Sequence, residues 1–383
     1  MPYKRRYAAP HRPVSIHDQE RGKIGPCCAP LREHRLYPSG VSPIEAVLAG
    51  EGVHRMRVMQ IGLGSIGCAV SRLLVQKSGW QIVAAVDADP AKQGRDLGEI
   101  VGLGQRLGVT VMSDLVALQD SHVDLAFLTT VSTFPEVLPT LSTLIQHHID
   151  VVASTEELFY PYYRYAEQAV ALDELAKQHG VSVLGTGINP GFVMDTLVLV
   201  LTGACQRINR IAVTRVANAS GARPSLQKKL GLGLTPETFA AYTAQGHVGV
   251  FGLIDSLAFL AHILKWHMDD FKERLVPVIA DKPVRFAQER VDPGQVCGVR
   301  YIVKGISHGK EVISFDLRMY LEAENVRDTI YIEGTPTIEM TIKSTDMGDV
   351  AAAGLLVNMS PLVHQARAGL LTMVDLPLPH WQH

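Results

Sequence analysis

Gly62-Leu63-Gly64-Ser65-Ile66-Gly67 follows one short apolar run and opens an amphipathic one, and Asp87 closes a second apolar run 20 residues beyond Gly67. Each glycine at this spacing has a physical use. The first permits a tight turn, the second lets the backbone approach a pyrophosphate, and the third lets a helix pack closely on a strand, so that phosphate charge meets the helix N-terminus. An acid at the distance of Asp87 accepts hydrogen bonds from an adenosine ribose diol. Gly62, Gly64, Ser65, Ile66, Gly67 and Asp87 are therefore expected to hold a dinucleotide, with NAD favoured by Asp87. NADP stays open because Lys92 and Arg95 lie near enough in sequence to meet a 2′-phosphate. A glycine-rich turn without a nucleotide is the competing reading, which the series of strand, helix, strand and acid disfavours.

In an open parallel sheet ligands sit beyond the C-terminal strand ends, so residues that directly follow each strand are the next candidates. Three such segments carry chemistry: Thr129-Thr130-Val131-Ser132, Ser154-Thr155-Glu156-Glu157 and Gly185-Thr186-Gly187-Ile188-Asn189-Pro190-Gly191. The first and third are small and polar, suited to a nicotinamide and its carboxamide, which places Thr129 and Thr130 on the cofactor side; Asn189 and Gly191 have two readings, a place close to the nicotinamide or only a tight turn that ends the strand. The middle segment offers carboxylates. Ser154-x-x-Glu157 has the spacing of a capping box, in which Glu157 would serve only the backbone; Glu156 is then the freer carboxylate and the expected catalytic group. Asp195 has two readings, a pocket acid or a favourable charge at a helix N-terminus. His247, between Gly246 and Val248-Gly249, reads first as a buried, hydrogen-bonded histidine. Tyr301 and Arg318, on later strands, face a cleft in one register and not in the other.

The elements that must position these residues follow from periodicity. Arg57 to Ile61, Gln81 to Val86, Val123 to Leu128, Asp150 to Ala153 and Val181 to Leu184 read as strands. Ile66 to Lys77, Pro135 to His147 and Pro161 to His179 read as helices, the last ended by Gly180. This alternation specifies an α/β fold, a Rossmann-type doubly wound parallel sheet. After about residue 200 the rhythm changes: a strand near Ile211 to Val216, one helical stretch from Thr235 to Trp266, and strands of antiparallel type with a hairpin turn at Ser307-His308-Gly309-Lys310, then Thr337 to Ile342. The expected organisation is an N-terminal extension over 1–55, a dinucleotide domain over 56–190, an α+β substrate and dimerisation domain over 191–349, and a C-terminal helix, Val350 to Gly369, whose segment 350–383 packs back on the first domain.

The chain has 383 residues, 47% of them apolar, enough for two cores. Residues 1–55 hold nine Lys and Arg against five Asp and Glu, and the remainder 27 against 33. That first segment lacks periodicity and reads as disordered; its acids argue against a transit peptide, and Met56, just before the first strand, reads as the natural start. The near-neutral balance disfavours nucleic acid. No run of about 18 apolar residues predicts a membrane span. Cys27, Cys28, Cys68, Cys205 and Cys297 show no CxxC spacing and the 15 histidines no cluster, so metal is expected to be absent and the thiols free, in a reducing cytoplasm.

Four separated segments then identify a relationship. Glu156-Glu157-Leu158 with Tyr160-Pro161, Gly187-Ile188-Asn189-Pro190-Gly191-Phe192-Val193-Met194-Asp195, Gly246-His247-Val248-Gly249, and Ala368 to Pro377 together resemble the 2,4-diaminopentanoate dehydrogenase family, whose relatives include the native amine dehydrogenases. The resemblance runs from about Met56 to His380. The family is similar in turn to dihydrodipicolinate reductases, but the His-His and Lys catalytic motif of those reductases is missing here. The resemblance implies NAD(P)-dependent oxidative deamination of an amine or diamino acid, reversible as reductive amination of a ketone or aldehyde with ammonia, by a homodimer. On it, Glu156 is the catalytic carboxylate and Glu157, Asn189 and His247 line the substrate pocket. Two rivals stay in play: an imine reductase of the same architecture that needs no free ammonia, and a non-catalytic NAD(P) sensor.

Overall fold

The computed structural model describes residues 55–115, 122–249, 251–286, 289–343 and 348–382. The expected disordered extension therefore lies outside the described residues, Arg55 excepted. The first half of the chain runs β1 (Met56–Ile61), α1 (Ser65–Gln76), β2 (Trp80–Val86), α2 (Leu97–Ile100), β3 (Val111–Met112), β4 (Leu125–Leu128), α3 (Phe134–Gln146), β5 (Asp150–Ala153), α4 (Ala166–His179) and β6 (Ser182–Gly185). The second half runs α5 (Thr196–Thr202), β7 (Arg207–Asn218), α6 (Pro224–Lys229), α7 (Pro236–Ala244), α8 (Leu253–Ile263), β8 (Asp270–Ile279), β9 (Val284–Phe286), β10 (Glu289–Val291), β11 (Val296–Ser307), β12 (Lys310–Tyr320), β13 (Arg327–Thr335), β14 (Ile338–Ile342), α9 (Asp349–His364) and β15 (Gly369–Leu371).

The first sheet is seven-stranded in the order β15-β6-β5-β4-β1-β2-β3, every pairing parallel. Its central strands β4 and β5 are buried along their whole length, because helices cover both faces. Strand order reverses between β1 and β4, so the loops after these two strands open on the crevice where a doubly wound sheet takes its ligand.

The second sheet has the order β14-β13-β7-β12-β11-β8. It is mixed rather than wholly antiparallel: β7 lies between β12 and β13 and pairs parallel with β12. Alternation in the sequence reports which face a residue takes, not the direction of the neighbouring strand, so this pairing was invisible to it. The β11–β12 hairpin is where the sequence places it; His308 and Gly309 both have positive φ, as a two-residue type I′ turn requires. Leu253, Leu257 and Leu260 of α8 pack on Val213, Tyr301, Val303 and Phe315 of this sheet.

Two element expectations are corrected. The stretch from Thr235 to Trp266 is two helices, α7 and α8, because Gly246, Gly249 and Gly252 between them take positive φ that a helix cannot contain. The terminal stretch stops being helical at His364; Gly369 instead begins β15, which extends the first sheet beside β6. α9 itself packs on that sheet, with Leu356, Met359 and Val363 in one core with Val70, Leu74 and Val152, and Trp80 Nε1 donates to Ser360 Oγ at 3.0 Å.

Candidate active site

β1 ends at Ile61, and Gly62 turns the chain with φ +85°. A Cβ on Gly62 would sit 2.6 Å from the Thr129 carbonyl oxygen, and one on Gly67 would sit 1.9 Å from the Gly62 carbonyl oxygen, so both positions need glycine for close approach of backbone. Gly64 differs: a Cβ there would meet nothing within 4 Å, which leaves its outer side open. α1 begins at Ser65 with no side-chain cap and no acid in its first turn. Ser65 is exposed and Ile66 partly so. An uncapped helix N-terminus beside an open glycine fits a pyrophosphate.

Asp87 accepts from Leu63 N at 2.6 Å and from Asp89 N at 2.8 Å, and pairs with Lys92 Nζ at 3.1 Å. Burial works to raise its pKa, but these backbone hydrogen bonds and Lys92 outweigh it and hold the carboxyl below its ordinary value. A stable anion thus stands where a ribose diol would donate. Thr129 is buried and donates to the Gly62 carbonyl at 2.8 Å while accepting from Gln60 Nε2 at 2.9 Å, so its side chain braces the loop from behind. Thr130 is exposed over Gly62.

Glu156 and Glu157 begin a short 3-10 turn after β5 and part company there. Glu157 is buried. Its Oε2 accepts from Phe134 N and from Tyr165 Oη, each at 2.9 Å, and Arg164 Nη1 lies 3.6 Å from its Oε1. The capping box with Ser154 does not form: Glu157 caps α3, a neighbouring helix, because the turn starts only after Thr155 and carries the carboxylate away from Ser154. Glu156 instead stays partly open, 22% exposed, and its Oε1 lies 3.2 Å from Lys229 Nζ at the end of α6. Lys229 also donates to Ser132 Oγ and lies over the Phe251 ring, 5.1 Å from the centroid. Three segments of the chain thus meet at Glu156.

Asn189 lies in the turn that follows β6, and its Oδ1 is sealed from solvent with no hydrogen-bond partner among the described residues. Gly191 takes φ +131°, and a Cβ there would lie 2.2 Å from Gly187 N. Asp195 is fully buried and is not a pocket acid: it accepts from Gly191 N, Thr196 N and Ser256 Oγ at 2.9, 2.6 and 2.7 Å, fixing this turn to α5 and α8, and burial raises its pKa. His247 is exposed rather than buried, its ring edge-on to Tyr242 at 5.8 Å, because it sits in the glycine-broken link between α7 and α8. Tyr301 faces the helix-covered side of the second sheet, with its hydroxyl on Glu273. Arg318 takes the opposite face and binds Asp316 at 2.7 Å, away from Glu156.

Lys229 is the residue that sequence reasoning missed. It lies 73 positions from Glu156 at the end of a six-residue helix, and no local spacing connects the two. Behind the site, Arg164 Nε lies 3.2 Å from Asp255 Oδ1, which places Glu157, Arg164 and Asp255 in one buried cluster. Among the described residues no group of three or more His, Cys, Asp or Glu has the arrangement to hold a metal ion, and no helix is long and apolar enough to cross a membrane.

A glycine turn that fits a pyrophosphate at the reversal of strand order, with the Asp87 anion directly after β2 and a partly open carboxylate after β5, is the equipment of an NAD(P)-dependent oxidoreductase. The comparisons with known proteins agree and narrow it. Residues 56–184 match the dihydrodipicolinate reductase N-terminal family, and residues 192–382 match the 2,4-diaminopentanoate dehydrogenase C-terminal domain. The curated 2,4-diaminopentanoate dehydrogenase of Acetoanaerobium sticklandii is 30% identical over 339 residues, 85% of this chain and 95% of its own length. The chain belongs to the 2,4-diaminopentanoate dehydrogenase family. An amine dehydrogenase of Streptomyces virginiae is 23% identical over 345 residues, covering 83% of this chain and 95% of its own. The structure of an amine dehydrogenase from Mycobacterium smegmatis superposes with a TM-score of 0.79 at 26% identity, covering 87% of this chain and 99% of that one.

Proposed function

We propose that the protein catalyses the reversible oxidative deamination of a primary amine or diamino acid, with NAD preferred over NADP and with Glu156 as the catalytic carboxylate. The observation that carries this reading is the division of labour at the end of β5: Glu157 is committed to α3 and Tyr165, while Glu156 stays partly exposed beside Lys229 after a strand two places from β1. One amine, one oxidised cofactor and one water give one carbonyl compound, one ammonia, one reduced cofactor and one proton. When bound, the nicotinamide accepts a hydride from the amine carbon.

Glu156 holds the substrate ammonium and takes its proton, since a protonated amine does not release hydride readily. The same carboxylate then activates water against the iminium carbon, and in the reverse direction positions ammonia and supports loss of water from the carbinolamine. Gly62, Gly64, Ser65, Ile66 and Gly67 hold the pyrophosphate, Thr129 supports that loop from behind while Thr130 faces the cofactor, and Asp87 accepts from the ribose; its low pKa and its engagement of Lys92 support NAD. Asn189 Oδ1 suits the carboxamide N–H of a nicotinamide. On this reading Glu157 acts through the backbone and His247 stands at the pocket's outer rim. The family likeness further suggests a homodimer, and the free thiols Cys68, Cys205 and Cys297 suit a reducing cytoplasm.

The test is absorbance of the reduced cofactor with small ketones, with and without ammonium. Ammonium-dependent oxidation of NAD(P)H is the expected result. Reduction of a cyclic imine without ammonium would replace the reading with an imine reductase, and tight cofactor binding without any turnover would replace it with a sensor.

A further inference from the structure

We propose that Lys229 is a specificity-determining residue that binds a carboxylate on the substrate, so that the preferred substrates are amino acids and their keto counterparts rather than plain alkyl amines. This rests on Glu156 as the group that holds the substrate ammonium. The two side chains that meet at the site are opposite in charge, Glu156 and Lys229, 3.2 Å apart and each 22% exposed. With no substrate they neutralise each other. A plain alkylammonium paired with Glu156 strands the Lys229 charge in a partly desolvated site; a substrate that carries both an ammonium and a carboxylate replaces each partner with one of its own.

The surroundings favour the exchange. The other cation near the turn, Arg164, is already engaged by the buried carboxylates of Glu157 and Asp255, so it offers the substrate no free charge. Lys229 is held from three directions: by Ser132 Oγ, by Glu156 and by the face of Phe251. An ammonium has three donors, and among the described residues Glu156 and Ser132 are its hydrogen-bond acceptors, which leaves one N–H for a ligand. Its main chain is fixed too, since Gly249 N donates to the Lys229 carbonyl at 2.9 Å. The Lys229 backbone is therefore anchored while its head group reaches Glu156 in the turn after β5.

A matched pair of ketones isolates the effect: 4-oxopentanoate and 2-pentanone share a five-carbon skeleton and a carbonyl position, and differ in the terminal carboxylate. The readout is the ratio of kcat/KM for the two in ammonium-dependent reductive amination. The protein should favour 4-oxopentanoate. In Lys229→Met the ratio should fall about 30-fold, about 2 kcal/mol at 1.4 kcal/mol per tenfold, with the loss in KM, and Lys229→Arg should retain most of it. Thermal unfolding and NAD(P)H affinity report folding, with Lys229→Gln as a second variant if Met disturbs it. An equal loss for both ketones would overturn the inference and assign Lys229 to the positioning of Glu156. If neither ketone is turned over, the quench of bound NAD(P)H fluorescence by 4-oxopentanoate decides: binding that needs Lys229 keeps the carboxylate site and removes the proposed reaction, and binding indifferent to Lys229 removes the site.

Discussion

A single methyl group at position 67 would place a carbon 1.9 Å from the Gly62 carbonyl and 2.6 Å from Thr129 Oγ1, a conflict with backbone that a flexible side chain cannot relieve. Gly67→Ala is accordingly expected to lower the melting temperature and weaken NAD(P) binding together, measurable by thermal unfolding and fluorescence titration. Gly64→Ala meets no protein atom, so it should leave stability near that of the parent while weakening cofactor binding. At Asp87, replacement by Asn removes a carboxylate held low in pKa by Leu63 N, Asp89 N and Lys92, and the NAD over NADP preference should fall about tenfold, the worth of one charge-assisted hydrogen bond. These residues were legible in the sequence because a fixed spacing within one strand-helix-strand unit joins them, as Leu63 and Asp87 are joined across 24 positions. The Glu156–Lys229 pair was half legible: the strand end exposes Glu156 by local geometry, whereas Lys229 arrives through the packing of distant elements.

Between elements, the turn at 156–165 and α8 are joined by Glu157, Arg164 and Asp255. Burial pushes the Asp255 carboxyl up to about 7, Arg164 opposes the shift and Glu157 adds to it. Between about pH 4 and pH 7 the unfolded chain has released this proton while the folded chain still holds it, so folded-state stability falls as pH rises through that window, by on the order of 4 kcal/mol. Asp255→Asn removes the dependence. The difference in unfolding free energy between variant and parent should therefore move in favour of the variant from pH 4 to pH 8, read by urea unfolding at each pH; a difference independent of pH would contradict the linkage. Element boundaries were legible where a local signal ends them, as Gly180 with φ +66° ends α4. The glycines at 246, 249 and 252 carried the break between α7 and α8, but the apolar content of the stretch outweighed them in the reading of the sequence.

Across the whole molecule, the last segment of the chain returns to complete the first sheet. β15 pairs with β6, and Leu370, Leu371 and Met373 are 3%, 1% and 3% exposed. At about 2 kcal/mol for each of these three buried side chains, removal of residues 366–383 should lower the unfolding free energy by about 6 kcal/mol, a large share of a typical domain's stability; the urea midpoint of the truncated chain measures this. The parallel sheet and the presence of a second sheet were legible from periodicity, while the β7–β12 parallel pairing and the β15 edge were not, because both are contacts between segments about 100 to 190 positions apart. The central claim, that Glu156 does the proton chemistry on an amine held beside the cofactor cradle, is tested most directly by Glu156→Gln. Ammonium-dependent oxidation of NAD(P)H by a ketone should fall about 10²- to 10⁴-fold while NAD(P)H binds as tightly as before. Turnover that survives the substitution would contradict it.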